Sequence, residues 1–512
     1  MIDDLGQMLA GLTTALLPIY LLYALAGAAL GTIVGVLPGL GPTMTMAMLL
    51  PVAFSLGDPL GAIILFGGVF YGSMYAGSIT SILLGLPGES SGIVSVFDGH
   101  QMTLRGRAGA ALLSNGVGSF VGGLLATTAI VFVARPIVDV AVQLSPADYF
   151  ALIAFALATT TLMGDRLWPG LFALTVGLAL GTIGTHSISG DERFVFGIAE
   201  LRSGIDLSLV AIGLYAVSVV VLNLANLGAG PAKPAVIGKL YMTRQEWRRS
   251  VPPYLRGSVL GFVVGVLPGL GGTVATFLSY NLERRLAKHP EEFGRGSIEG
   301  LAGPSAADNA GSGGSFVPLL TLGIPGSAAT ALMLGALQGF GVQTGPLMLQ
   351  NNPELVWGVI GGLLVANAML LVLNVPLVGI WVKLLEIPGA ILYPLIIVIS
   401  TVGAYSIGRT PVLLFVVLGL GVIGLTFRLL GIPLAPAVMG IVLGPLLEQE
   451  WARTLVISRG SYEGFVSTPL SVVMLSLAVL VLLLPLAQWP IQLLRRRHAR
   501  TVTAPTAPGG GS

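Results

Sequence analysis

Long apolar runs separated by short polar breaks fill this chain, and two of the runs are broken in the same way. Runs of about 17–25 apolar residues suffice to cross a bilayer as helices. The pattern predicts spans at 16–36, 60–86, 108–133, 147–163, 167–184 and 205–227. In the second half it predicts 317–341, 355–381, 388–404, 410–427, 433–447 and 469–489. The run 16–36 ends in Gly35-Val36-Leu37-Pro38-Gly39-Leu40-Gly41-Pro42-Thr43. A later run, 257–266, ends in Gly265-Val266-Leu267-Pro268-Gly269-Leu270-Gly271-Gly272-Thr273. The apolar stretches behind these breaks, 43–54 and 273–282, are too short to cross and read as half-helices. Proline removes a backbone donor and glycine frees the backbone. Such a break is tolerated at membrane depth only where it lines protein or a cavity.

The two motifs agree at eight of nine positions and lie 230 residues apart. Ala76-Gly77-Ser78 recurs as Ala310-Gly311-Ser312, and Leu84-Gly85-Leu86-Pro87-Gly88 as Leu322-Gly323-Ile324-Pro325-Gly326. These later matches lie 234 and 238 residues apart. The organisation expected is a first transmembrane repeat at 15–227, a basic cytoplasmic linker at 228–256, a second repeat at 257–490, and a basic then disordered tail at 491–512. Lysine and arginine favour the cytoplasmic side. Placing the linker and Arg495–Arg500 inside makes span 108–133 start inside and its counterpart near Leu355 start outside. The repeats are therefore expected to be inverted, with Lys383 and Arg428 at cytoplasmic span ends. Span 60–86 is rich in glycine, serine and threonine, so it is expected to pack on protein rather than lipid. Segment 135–146 reads as a connector and 283–315 as the longest polar stretch.

Composition fixes the class. Only 9% of the 512 residues are charged and 54% are hydrophobic, against roughly 25% charged in a soluble domain. The fold expected is an all-α polytopic membrane protein with re-entrant hairpins, about 10–14 membrane segments in all. There is no cysteine, and the four histidines are scattered without metal-ligand spacing. No phosphate-binding loop is present, and Gly88-Glu89-Ser90-Ser91-Gly92 lacks the strand-to-helix context that makes such a motif a nucleophile. Neither enzyme nor ATPase is expected, and no cofactor. The basic tail suits topology and lipid headgroups better than nucleic acid.

Gly/Pro-broken apolar segments at matching positions of two halves point to a transporter binding site. Each half-helix N-terminus presents unpaired N–H groups and about half a positive charge, which suits a carboxylate. The candidate substrate residues are Pro38, Gly39, Leu40, Gly41 and Thr43, with Pro268, Gly269, Leu270, Gly271, Gly272 and Thr273. Ser78, Thr80 and Ser81 join them, with Asn309, Ser312 and Ser315, as hydroxyl and amide groups on small-residue segments. The carbonyls near Leu37 and Leu267, with Asp308, are candidate ligands for a cation. Glu89 reads equally as a functional acid and a solvated loop residue.

The doubled motif, with Ala76-Gly77-Ser78-Ile79-Thr80-Ser81-Ile82-Leu83-Leu84-Gly85-Leu86-Pro87-Gly88 and Asn309-Ala310-Gly311-Ser312-Gly313-Gly314-Ser315, resembles the large membrane subunit of the tripartite tricarboxylate transporters, the TctA type. The resemblance covers roughly 15–490. It implies a bacterial inner-membrane, multi-pass secondary transporter with a cytoplasmic C-terminus. It also implies a small four-span membrane partner, a periplasmic substrate-binding protein, and a sodium or proton gradient as driving force. Citrate or another di- or tricarboxylate is the substrate expected, and a homo-oligomer is left open. Hairpins with short half-helices suit an elevator-like motion. A channel, or a scaffold subunit that carries nothing, is the alternative.

Overall fold

The computed structural model describes residues 2–37, 40–85, 89–163, 167–186, 189–224, 237–386, 389–408 and 410–483. Pro38, Gly39, the start of the 228–256 linker and the whole 491–512 tail lie outside the described residues.

The described chain is almost entirely helical. Helices α1 (Ile2–Ala15), α2 (Pro18–Val36), α3 (Pro42–Ser55) and α4 (Pro59–Leu84) come first. After a short helical stretch at 90–104 come α5 (Ala108–Ala141), α6 (Pro146–Thr160), α7 (Leu167–Gly181) and α8 (Leu207–Leu224). The second half opens with α9 (Arg244–Val266), α10 (Gly271–Leu286), α11 (Ile298–Gly314), α12 (Phe316–Leu322) and α13 (Ala328–Gly339). It closes with α14 (Pro353–Asn374), α15 (Gly389–Gly408), α16 (Pro411–Leu429), α17 (Ala435–Ile457) and α18 (Pro469–Leu483). Two-residue strands β1 (Gly184–Thr185) and β2 (Glu192–Arg193) pair antiparallel between α7 and α8. Among the described residues six helices are long and apolar enough to cross a membrane, and six further apolar helices are shorter. This is a multi-pass membrane protein.

Helix α4 is the centre. Its whole apolar window is buried, as its glycine and hydroxyl content requires of a helix surrounded by protein. Along one side lies α2. A Cβ on Gly27, Gly31 or Gly35 would collide with, or stand under 3 Å from, the carbonyls of Leu65, Val69 and Ser73 in turn. The second half repeats this ladder. A Cβ on Gly257, Gly261 or Gly265 of α9 would collide with the carbonyls of Gly303, Ala307 and Gly311 on α11. The glycines on α2 and α9 are 230 residues apart, and the carbonyls they meet are 238 apart. The helix ends agree too: Gly85 and Gly323 both take φ +68° as left-handed C-caps. The packing register therefore sets Gly311 against Ser73. The Ala-Gly-Ser match at a spacing of 234 is one helical turn out of that register.

The halves also pack on each other alike. Helix α5 lies on α11 and α14 on α4, while α7 packs on α17 and α16 on α8. Gly122, in the Gly118/Gly122 pair, sits against the Ala306 carbonyl.

Three expectations change. Segment 135–146 is no connector at its start, because α5 continues through Pro136 to Ala141. The polar stretch 283–315 first ends α10 and runs through a mostly exposed connection, and only from Ile298 does it become α11, buried at every position but Glu299 because its small residues let neighbouring helices close around it. The repeat boundary at 256/257 falls inside α9. That helix begins at Arg244 with a Thr243–Glu246 capping box and sets two of its four arginines on acids. Arg249 pairs with Glu292 and Glu299, and Arg256 with Glu283.

Candidate functional site

Both broken helices stop in the same backbone conformation. Leu37 has φ −88° and ψ 112°, and Leu267 has φ −81° and ψ 114°. Each N–H donates to a valine carbonyl three residues back, Val34 and Val264, at 3.1 Å. Beyond this point the copies differ. Gly41 is extended and Pro42 opens α3 at a position where no N–H is needed. In the second copy Gly269 (φ +82°) and Gly271 (φ +65°), both left-handed, make the turn into α10.

The two tips meet at a cavity of about 580 Å³. Gly41, Pro42 and Thr43 line it from α3, and Leu270 to Thr273 from α10. Two further helix N-termini reach it: Ser327, Ala328 and Ala329 at α13, and Leu434 and Ala435 at α17. The first-turn N–H groups of a helix have no intrahelical acceptor, so four sets of donors and four positive dipole ends border one space. Arg428, near the end of α16, is the cation among the lining residues. Its Nε donates to Ser218 Oγ at 3.0 Å, which fixes the guanidinium and leaves its two terminal nitrogens without a partner among the described residues. Tyr215, Ser90, Ser91 and Glu89 complete the polar lining, and Phe70 and Met74 of α4 form an apolar floor.

The expected site residues divide. Gly41, Thr43, Leu270, Gly271, Gly272, Thr273, Ser312 and Ser315 line the cavity. Thr43 and Thr273 have no side-chain hydrogen bond among the described residues. Ser312 and Ser315 donate to the carbonyls of Asp308 (3.1 Å) and Ser312 (2.6 Å). Pro38 and Gly39 lie outside the described residues. Leu40 is buried beside the cavity without lining it. Pro268 and Gly269 hold the turn: the Pro268 carbonyl accepts from Thr159 at 2.6 Å, and Gly269 N–H donates to Gly326 at 3.1 Å.

Ser78, Thr80 and Ser81 do not reach the cavity. Thr80 and Ser81 donate back to the Gly77 carbonyl inside α4, at 2.9 and 3.3 Å. Asn309 does not line the cavity; its amide donates to the Ser305 carbonyl at 3.5 Å, and its Oδ1 is buried without a partner among the described residues. Asp308 is 3% exposed behind Gly272, and its Oδ1 also lacks a partner among the described residues. Among the described residues the Leu37 and Leu267 carbonyls accept only from Leu40 and Leu270, at 3.2 and 3.5 Å.

Arg428, Tyr215, Ser327 and the α17 N-terminus escaped the sequence reading. Charge counting set Arg428 at a cytoplasmic span end, but the side chain turns inward, and hydropathy carries no information on which face of a helix end a residue occupies. Tyr215 sits in a π-helical stretch, Ile212–Val217, of the kind frequent at functional sites. Ser327 had a signal: it opens a Ser327–Thr330 capping box right after the Leu-Gly-Ile-Pro-Gly motif. A cavity of about 610 Å³ near the β-hairpin is less suited to an anion, since its Arg193 is engaged by Glu448 through two hydrogen bonds of 2.8 and 2.9 Å. Among the described residues no group of three histidine or acidic side chains could hold a metal ion.

The model of the tripartite tricarboxylate transporter TctA family matches residues 21–439, which takes in both tips and every wall of the cavity. The chain belongs to the TctA family. It is 41% identical over 489 residues to an uncharacterized 52.8 kDa protein of Agrobacterium vitis from the TAR-I ttuC' 3' region, covering 95% of this chain and 97% of that one. An uncharacterized protein from the TAR-II ttuC' 3' region of the same organism is 42% identical over 226 residues, 44% of this chain and 93% of that one. No solved structure matches. TctA membership makes the chain a transporter subunit rather than a catalyst, one component of a tripartite system that handles carboxylates.

Proposed function

We propose that this TctA-family chain carries a small di- or tricarboxylate, citrate among the candidates, through the cavity between the two tips. The convergence of four helix N-termini with Arg428 on one space carries this reading. Arg428 is a planar fork that matches a carboxylate, and the N-termini supply further donors without a hydration cost of their own. Thr43 and Thr273 have hydroxyls free to donate. Uptake is driven by a sodium or proton gradient. Asp308, with an unpartnered oxygen, and the lightly used carbonyls of Leu37 and Leu267 are the ligands proposed for the cation.

The matched ladders and tips support two repeats, and the positive-inside count supports their inversion. The tips and α4 and α11 behind them then move as one body against the remaining spans, in the manner of an elevator. The chain works in the bacterial inner membrane, C-terminus inside, with a small four-span subunit and a periplasmic binding protein.

The test is uptake of labelled citrate, then of other carboxylates, into proteoliposomes holding the chain and its small partner. An inward sodium or proton gradient and the binding protein are each supplied or withheld. Accumulation that needs both, and that is lost in Arg428→Ala, is the result expected. Equilibration without accumulation would mean a channel. Full uptake by variants of both tips would mean a scaffold and would sink the site.

A further inference from the structure

Glu89 is a carboxylate standing where a substrate carboxylate would stand. It lines the cavity, and its Oε1 lies over Gly41, the N-cap of α3, so closely that any Cβ on Gly41 would collide with it. Its stem rests on α4, where a Cβ on Gly77 would come 3.6 Å from Glu89 Cγ. Among the described residues its carboxylate has no hydrogen bond and no salt bridge. The other tip has its own acid in a comparable place. A Cβ on Gly272, in the first turn of α10, would stand 2.7 Å from Asp308 Oδ1. Asp308 does not line the cavity, however, and Glu89 does.

The groups facing Glu89 are few. Among the described residues, Arg428 of α16, Asp308 of α11 and Tyr215 of α8 are the charged or titratable ones. The walls contributed by α3, α4, α10 and α13 carry none. The α3 N-terminus and the guanidinium are therefore shared between Glu89 and whatever anion enters. A second carboxylate cannot take up those donors beside an ionised Glu89 without placing like charges side by side in one cavity.

Resting on the carboxylate-site reading above, we infer that Glu89 binds a proton when substrate enters, so that substrate and one proton occupy the cavity together. The proton comes from the water that reaches the cavity and adds to one Glu89 oxygen. No bond to the substrate forms or breaks. Protonation cancels the competing charge and turns Glu89 from an acceptor into a donor towards the incoming carboxylate. This role is independent of the cation proposed at Asp308.

The test is calorimetric binding to the purified chain, with citrate, malate and tartrate as probes. Buffers of different ionisation enthalpy give the protons taken up per ligand bound, for wild type, Glu89→Gln and Glu89→Ala. The probe's own titration cancels in the difference between proteins. Wild type should take up about one proton more than either variant, and on the alkaline side its affinity should fall about tenfold more per pH unit than theirs. Equal proton counts and equal slopes in all three proteins would overturn the inference and leave the site standing. Failure of folded wild type to bind any of the three probes, with or without sodium, would overturn the site reading and the inference with it. Should Glu89→Gln fail to fold, Glu89→Ala, which removes the carboxyl from over Gly41, carries the comparison.

Discussion

Gly265 of α9 sits against the backbone carbonyl of Gly311 on α11 with no room for a side chain between them. The contact ends a three-step ladder directly behind the second tip, so it sets the depth at which the tip is held. Gly265→Ala should cost about 1–3 kcal/mol through overpacking, and Gly35→Ala likewise against Ser73. Gly379→Ala, where the added carbon meets nothing within 4 Å, is the control. Thermal unfolding in detergent should show both ladder variants lowered and the control unchanged. Equal transitions in all three would refute the ladder.

Gly269 combines φ +82° with a close neighbour, since a Cβ would lie 2.7 Å from the Ala156 carbonyl. Gly269→Leu should insert and remain monodisperse yet lose at least about tenfold in uptake, because a shift of about 1 Å in a binding constellation costs that much or more. Wild-type uptake rates by this variant would remove the tip from the site.

Arg428→Ala should weaken carboxylate binding by about tenfold to a hundredfold, the worth of a hydrogen bond to a charged group. Arg428→Lys keeps the charge but loses the fork held by Ser218 and should recover only part of it. Equilibrium binding separates the three proteins, and identical affinities would exclude Arg428 as an anchor.

Asp308→Asn should abolish the sodium dependence of uptake while leaving its pH dependence, and exchange of external for internal carboxylate, in place. Uptake of the probe at varied sodium and pH, beside a counterflow assay, reads the two apart. Unchanged sodium dependence would free Asp308 of that role.

At the polar end of α9, Glu246 closes the capping box and meets Arg107. Burial would raise the Glu246 carboxyl, but Arg107 and Thr243 outweigh it and hold the group below its ordinary range. A depressed acid stabilises fully above its unfolded value, about 4.3, and the gain is lost as pH falls through the lower folded value. Glu246→Gln should therefore be less stable than wild type at pH 7, and the gap should close on acidification. Thr243→Ala should cost about 1 kcal/mol for the lost cap. A gap that stays constant down to pH 3 would contradict the assignment.

Some of this architecture is local and was legible in the residues. Membrane insertion follows from apolar length, and the two breaks follow from Pro-Gly chemistry wherever the chain goes. The burial of α4 was readable because a helix of glycine and serine has no large surface to offer lipid. The eight shared motif positions correctly announced two matching helix ends, down to their φ and ψ at Leu37 and Leu267. Which side chains face the cavity was settled by tertiary structure alone. Ser78, Thr80 and Ser81 lie on the right helix with the wrong direction, since three residues cover most of a turn and only packing tells which part meets the cavity. Residues 43, 89, 215, 273, 327 and 428 share one space because α2 on α4 and α9 on α11 carry the tips together. Contacts across hundreds of residues depend on helix packing, and neither hydropathy nor spacing along the chain encodes that.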